Sequence, residues 1–371
     1  MKKRVLVAMS GGVDSAVAAL LLKDQSYEVV GVTMCLGVPS PDDGRVRCCG
    51  PQEIEDARRV CHLLGISHYV FDFSRDLEEK VVRPFRAQYL QGRTPNPCVE
   101  CNRFIKFGSL LEKAQGVGMD YLATGHYATL KRTSAGCRLK TARDRRKDQT
   151  YFLYAVPGKA LERVLFPLAD LTKDAVREMA RRARLPVFGK RESQDICFAP
   201  PEGYGGLFRG LSEATRPGRV VNKKGDVLGE HRGIIFYTVG QRRGLRLSWM
   251  APLYVIAIDP EKNTIVVGEK PDLVARSLIA SEVNLLVPDL PQRAYAKIRH
   301  THRPAPCRVS LRGERLILSF DEPQPAVTPG QSVALYDGDT VLGGGIISWV
   351  GDIETASQPL CRSSNCTLPL F

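Results

Sequence analysis

Ser10-Gly11-Gly12-Val13-Asp14-Ser15 joins two apolar runs of different character near the start of the chain. Before it lies Val5-Leu6-Val7-Ala8-Met9, an apolar β-rich run, and after it Ala16-Val17-Ala18-Ala19-Leu20-Leu21-Leu22, a run of helix formers with no breaker. The six residues are therefore a strand–turn–helix corner. Two adjacent glycines permit positive φ and close backbone approach, and Ser15 or Asp14 can cap the helix. A row of free N–H groups at the positive end of the helix dipole then forms an anion cradle, suited to phosphate.

Spelling separates this corner from two other phosphate loops. G-x-x-x-x-G-K-[ST] sets a lysine on the terminal phosphates and G-x-G-x-x-G spaces its glycines for a dinucleotide; neither occurs here. The loop resembles the S-G-G-x-D-S loop of ATP pyrophosphatases, which cleave between the α- and β-phosphates and leave an adenylated substrate. A glycine-rich turn that merely joins strand to helix would not require six matched positions in this context.

The chain has 371 residues, 43% apolar and 25% charged, enough for a sizeable core and two or three soluble domains. Its net charge of +13 suggests a polyanionic partner, with simple solubility as the other reading. Met1-Lys2-Lys3-Arg4 opens like a signal peptide, but the apolar run that follows is cut short at Ser10. No run approaches the ~18 apolar residues of a membrane span, so a cytoplasmic protein with no membrane partner is expected. Eleven cysteines in that compartment should be mostly reduced, which turns attention to thiol chemistry or metal binding.

From the loop to about Leu130 strands and helices alternate, as in a doubly wound parallel sheet. Glu28 to Leu36 is a second strand whose end should lie beside the loop, making Met34 either an adenine contact or a core methionine. Gly37 to Gly50 reads as a flap; its adjacent Cys48 and Cys49 are poorly placed to chelate one ion together. Pro84 should kink or break a helix running from about Ser74 to Leu90. Asn96-Pro97-Cys98-Val99-Glu100-Cys101 follows, with an apolar helix expected to begin near Cys101, where a thiolate would be favoured. This C-x-x-C could be a redox pair, and it lacks a second pair for a structural zinc site. The strand Tyr121 to Thr124 ends in Gly125-His126, at the edge where such sheets bind ligands; His126 could be structural or functional.

Thr129 to Asp148 reads as an exposed basic hairpin or loop. Thr172 caps a helix whose Lys173, Arg177, Arg181 and Arg184 fall on one side, either a solvated face or a track for nucleic-acid phosphates. Cys197 sits in the compact segment Glu192 to Phe198. From Pro200 onward short β-rich runs dominate, including Gly218 to Val221, Gly233 to Val239 and Leu253 to Asp259. The expected organisation is a catalytic domain over 1–200, a small β-rich domain over 201–275, a β-barrel over 276–355 and a loose tail over 356–371.

With these residues in place the chain resembles the bacterial tRNA-specific 2-thiouridylase family over nearly its whole length. The resemblance rests on Ser10 to Ser15, Asn96 to Phe107, Gly125-His126-Tyr127, Lys147-Asp148-Gln149, Glu192 to Phe198 and Tyr237 to Leu245. It implies an enzyme that uses ATP and Mg²⁺ to adenylate the C2 oxygen of a wobble uridine in tRNA and then replaces that oxygen with sulfur. Cys101 matches the family's nucleophile and Cys197 its persulfide carrier, loaded by a cysteine desulfurase or a sulfur-relay protein. Ala8, Met9, Ser10, Gly11, Gly12, Val13, Asp14, Ser15, Met34 and Gly125 match the ATP contacts. Asn96, Pro97, Cys98, His126, Lys147, Asp148, Gln149 and Gln331 match contacts to tRNA or its target base. Some members carry aspartate at the position of Cys98; with cysteine there, Cys98, Cys101 and Cys197 could instead hold a [4Fe–4S] cluster.

The chemistry is coherent on its own terms. A pyrimidine C2 oxygen leaves poorly until it is made an adenylate, and the incoming sulfur needs a low-pKa thiol carrier. The target base must be unstacked to be reached, and basic surface supplies affinity for the backbone. Two other readings are an ATP pyrophosphatase acting on a small molecule, which leaves the cysteines idle, and a tRNA-binding or sulfur-carrier protein without catalysis, which leaves Asp14 dispensable.

Overall fold

The computed structural model describes residues 2–39, 46–47, 51–134, 136–190, 196–200 and 203–351. Most of the expected flap, residues 192–195 of the Cys197 segment, and the expected tail lie outside them. The first unit is a five-stranded, all-parallel sheet in the order Ser67–Asp72, Glu28–Cys35, Arg4–Ala8, Tyr121–Ala123, Val164–Leu165. Chain order reverses between Arg4–Ala8 and Tyr121–Ala123, so the loops leaving those two strands face each other across a crevice. Val5, Leu6 and Val7 are fully or almost fully buried, and Val13–Asp24 buries Ala16, Val17, Ala18, Ala19 and Leu22 against the sheet. The continuous apolar spelling of both elements reflects burial on both sheet faces.

Pro84 does not break its helix. Ser74–Leu77 passes through a π-turn at Glu78–Val82 into Arg83–Leu90. The wider turn accommodates a residue that has no N–H to donate. Thr129–Thr133 and Gly136–Lys140 form the expected hairpin, but its second strand pairs with Thr340–Gly351 of the last domain.

The central domain is a four-stranded sheet ordered Val227–His231, Gly218–Val221, Thr264–Gly268, Tyr254–Asp259. A strand expected over Gly233 to Val239 is instead a 3₁₀ turn at Ile234–Phe236. The last domain is a six-stranded closed barrel: Val274–Leu285, Arg315–Pro325, Ala305–Arg312, Arg293–Lys297, Ser332–Asp337, Thr340–Gly351, and back to the first. Closure removes exposed sheet edges. Tyr151 and Tyr154 of the first unit reach into this barrel, donating from their hydroxyls to the Ser332 carbonyl at 2.9 Å and the Gly345 carbonyl at 3.0 Å.

Of the described cysteines, Cys35 is disulfide-bonded, and Cys61, Cys98, Cys101, Cys137, Cys197 and Cys307 are in no disulfide. No described helix is long and apolar enough to cross a membrane.

Burial sets an acid limit on this fold. His68, His126, His231, His300 and His302 are all held below the ordinary imidazole pKa of 6.5, chiefly because burial penalises the charged ring. The unfolded chain then binds protons near pH 6.5 while the folded chain binds them only at lower pH. Their contribution to stability is complete above about pH 7 and is lost as pH falls below about 6.5. The melting temperature should therefore be flat from about pH 8 to 7 and fall towards pH 5; a rise on acidification would contradict this account.

Candidate active site

The Ser10–Ser15 corner is built as a cradle, but not with the cap expected. Gly12 is the N-cap of Val13–Asp24, and no side chain caps that end. Ser15 Oγ turns inward, donating to the Gly12 carbonyl at 3.1 Å and accepting from the Ser10 N–H at 3.1 Å. The first-turn amides of the helix thus keep no intrahelical partner and face the crevice. Gly11 has φ +68°, and a Cβ there would lie 2.5 Å from the Glu53 carbonyl oxygen. Gly125 is equally constrained: its Cβ would stand 2.8 Å from both the Asp14 carbonyl carbon and the Ser15 nitrogen. The two loops of the switch point therefore touch, backbone on backbone. Met9 and Val13 are buried, and the Met9 backbone is held within the sheet, its N–H donating to the Val32 carbonyl at 2.7 Å and its carbonyl accepting from the Thr33 hydroxyl at 3.0 Å. Ala8 ends the first strand beside Val32, and Met34 packs half-buried against the core two residues further along the neighbouring strand.

Asp14 is engaged from a direction the sequence did not indicate. Lys173 Nζ lies 2.7 Å from both of its carboxylate oxygens, and the Tyr127 hydroxyl donates to Asp14 Oδ1 at 2.9 Å. Lys173 is 5% exposed, so the helix stripe expected at the surface begins with a buried residue. Thr172 is the N-cap as expected, its side chain accepting from the Ala175 N–H at 3.2 Å. A clue was available: lysine at the first position of a helix opposes the helix dipole and calls for a compensating anion. The cation missing from the loop's spelling thus arrives through the fold.

The polar run expected as an exposed loop supports this arrangement from below. Asp144 is buried and accepts from the Lys173 N–H at 3.1 Å. Gln149 Oε1 accepts from the Tyr127 N–H at 3.0 Å. Asp148 is also buried, accepting from the Ala142 N–H and the Thr150 hydroxyl, so its side chain points into the fold. Lys147 is half-buried, while Arg143, Arg145 and Arg146 are exposed.

Beyond the cradle lies the sulfur side. The helix carrying C-x-x-C begins at Pro97, with Asn96 as its N-cap residue, and continues through a π-helical stretch over Cys101–Ser109. Cys98 therefore lies nearest the helix N-terminus, and Cys101, placed there by sequence reading, lies one turn inside at 4% exposure. Proline at the first helical position starts the helix four residues early. Burial raises the Cys98 thiol pKa, partly offset by the Lys106 charge and reinforced by nearby Cys197. Cys98 and Cys197 thus share one electrostatic environment, Cys197 being exposed and Cys101 shielded. Among the described residues no three Cys, His, Asp or Glu side chains converge to hold a metal ion. The Cys98–Cys101–Cys197 set is accordingly not arranged as cluster ligands.

His126 sits between the two sides. Its Nδ1 is 2.7 Å from Thr124 Oγ1, and its ring packs edge-on to Phe166 and tilted against Phe107. Burial and the Lys106 charge keep the imidazole neutral. Gln331 Nε2 donates to the Thr94 carbonyl at 2.9 Å, fixing the loop that leads to Asn96, whose side chain reaches the Tyr151 hydroxyl. Asn102 donates to the Phe152 carbonyl at 2.9 Å and leaves its buried Oδ1 without a partner among the described residues.

Three family models match the chain in succession. They are described as a tRNA methyl transferase HUP domain over residues 3–201, a tRNA methyl transferase PRC-barrel domain over 210–269 and an aminomethyltransferase beta-barrel domain over 275–347. The chain is 55% identical over 347 residues to tRNA-specific 2-thiouridylase MnmA 1 of Syntrophus aciditrophicus, covering 94% of this chain and 93% of that protein. It is 47% identical over 356 residues to tRNA-specific 2-thiouridylase MnmA of Carboxydothermus hydrogenoformans, covering 93% and 98% respectively. A solved 4-thiouridine synthetase–RNA complex with bound ATP is 15% identical with a TM-score of 0.36, covering 53% of this chain and 45% of that one.

Proposed function

Because the chain belongs to the tRNA-specific 2-thiouridylase family, we propose that its Ser10–Ser15 cradle and its cysteines carry out two successive steps on one tRNA uridine. In the first, the uridine C2 oxygen attacks the α-phosphorus of ATP as the N3 proton departs, and pyrophosphate leaves. In the second, the terminal sulfur of a Cys197 persulfide attacks C2 and AMP leaves with the former C2 oxygen. The Cys101 sulfur then attacks Cys197, the electrons of the cleaved S–S bond pass to the new 2-thio group, and an external thiol reduces the resulting disulfide.

The observation that carries this reading is the Lys173–Asp14–Tyr127 group beside a free helix N-terminus. Helix amides and Lys173 complement the phosphates, and Asp14 is the group that would hold the magnesium accompanying the nucleotide. Exposure supports the division of labour between the thiols. Cys197, at the surface, is open to a cysteine desulfurase or relay protein, while Cys101 is shielded from solvent. The neutral His126 and the segment Asn96–Cys98 would meet the flipped base, so that a ring with no net charge faces an uncharged imidazole. No step requires an iron–sulfur cluster.

Product analysis tests the first step. In the presence of tRNA the enzyme should convert ATP to AMP and pyrophosphate; formation of ADP and phosphate instead would remove adenylation from the mechanism.

A further inference from the structure

The loop between Tyr237 and Leu253 carries Arg242, Arg243 and Arg246, all exposed, together with Trp249 at 50% exposure and a fully exposed Met250. None of the three guanidinium groups is paired with a carboxylate among the described residues. Arginine does not lose its proton in proteins, so three positive charges within five residues repel one another unless a polyanion answers them.

The loop is nevertheless firmly held. Gln241 Oε1 accepts from the Thr238 N–H at 3.1 Å, and its Nε2 donates to the Arg243 carbonyl at 3.0 Å. The Gly240 N–H donates to the Val255 carbonyl at 2.8 Å, and the Val255 N–H returns a bond to the Gln241 carbonyl at 3.0 Å. Leu245, 5% exposed, anchors the chain between Arg243 and Arg246, and Gly244 takes the left-handed turn at φ +82°. A fixed backbone presents the arginines at set positions instead of letting them spread apart.

Its root lies beside the site. Thr94 Oγ1 is 3.4 Å from Thr238 Oγ1, and Arg299 Nη2 donates to the Val239 carbonyl at 3.0 Å. Thr94 precedes Cys98 by four residues, so the arginine loop and the cysteine helix share one support.

We infer that Arg242, Arg243 and Arg246 bind phosphates of the tRNA strand whose base enters beside Cys98, and that Trp249 stacks on an unpaired base of that strand. The inference rests on the tRNA reading above. Guanidinium forks match phosphate geometry, and an exposed indole accepts any base face. A protein surface against Trp249 and Met250 is the outcome that the following test separates from RNA.

Full-length wild type, Arg242→Ala/Arg243→Ala/Arg246→Ala, Trp249→Ala and Arg243→Gln are compared for binding of a wobble-uridine tRNA across a salt series, with ATP binding and thermal melting as controls. The triple variant should bind tRNA about 10- to 100-fold more weakly and lose about two to three units of salt slope. Trp249→Ala should weaken binding about 10-fold with its salt slope unchanged. Arg243→Gln, the mildest change, should lower the slope by about one, which keeps the test decisive if the triple variant melts early. Wild type that fails to bind tRNA would overturn the tRNA reading itself. Wild type that binds, with variants of equal affinity and equal slope, would overturn this inference alone and assign the loop to a protein partner.

Discussion

Asp14→Asn should bind tRNA as the wild type does and lose thiolation by about 100- to 1,000-fold, the scale expected when one preorganised charge is removed from a reacting phosphate. The amide keeps the size of the carboxylate and can still accept from the Tyr127 hydroxyl. It cannot neutralise Lys173, whose Nζ lies 2.7 Å from both Asp14 oxygens. Breaking a buried pair costs about 3–5 kcal/mol, and the effect here should fall below that because the Asp14 side chain is 32% exposed. A melting curve therefore separates misfolding from lost chemistry. Pyrophosphate release and thiolation should fall together, since both depend on the adenylate. Lys173→Met should give the same joint loss from the opposite charge. Wild-type thiolation by Asp14→Asn would remove the loop from the adenylation step.

Cys197→Ser and Cys101→Ser should separate what Asp14→Asn joins. Each should lower thiolation by about 10⁴-fold or more, as expected for a nucleophile that acts as part of a unit. Neither thiol touches the cradle in this account, so tRNA-dependent pyrophosphate release should continue in both. Cys98→Ser is the informative control. Burial holds the Cys98 thiol protonated, and its side chain does not converge with Cys101 and Cys197 on a common metal position. It should thiolate at near wild-type rate. Iron bound by anaerobically prepared wild type, lost together with activity in Cys98→Ser, would replace the persulfide route with a cluster-borne one.

Local features were readable from the chain because they are encoded locally. Val5 to Leu22 spells strand, glycine turn and helix in one contiguous run, and the paired β-runs after Pro200 announce a β-rich second half. What escaped reading depends on contacts between distant positions. Lys173 and Asp14 are 159 residues apart, and nothing in a stripe of basic residues says which member turns inward. Asp144 and Asp148 sit in a basic, loop-like run and still point into the fold, because a carboxylate's direction depends on the amides it meets. Barrel closure depends on Val274–Leu285 finding Thr340–Gly351, a pairing that alternation alone does not specify. The cysteine helix starts four residues before the expected Cys101 for a local reason: Pro97 is the first helical residue, where its fixed φ suits the helix and its missing N–H costs nothing.

The most direct test of the central claim is mass spectrometry of nucleosides from a wobble-uridine tRNA incubated anaerobically with the enzyme, ATP and a sulfide source. 2-Thiouridine should appear only with ATP and should be absent with Asp14→Asn. Tightly bound tRNA that yields no 2-thiouridine, whether in air or under anaerobic conditions, would contradict it.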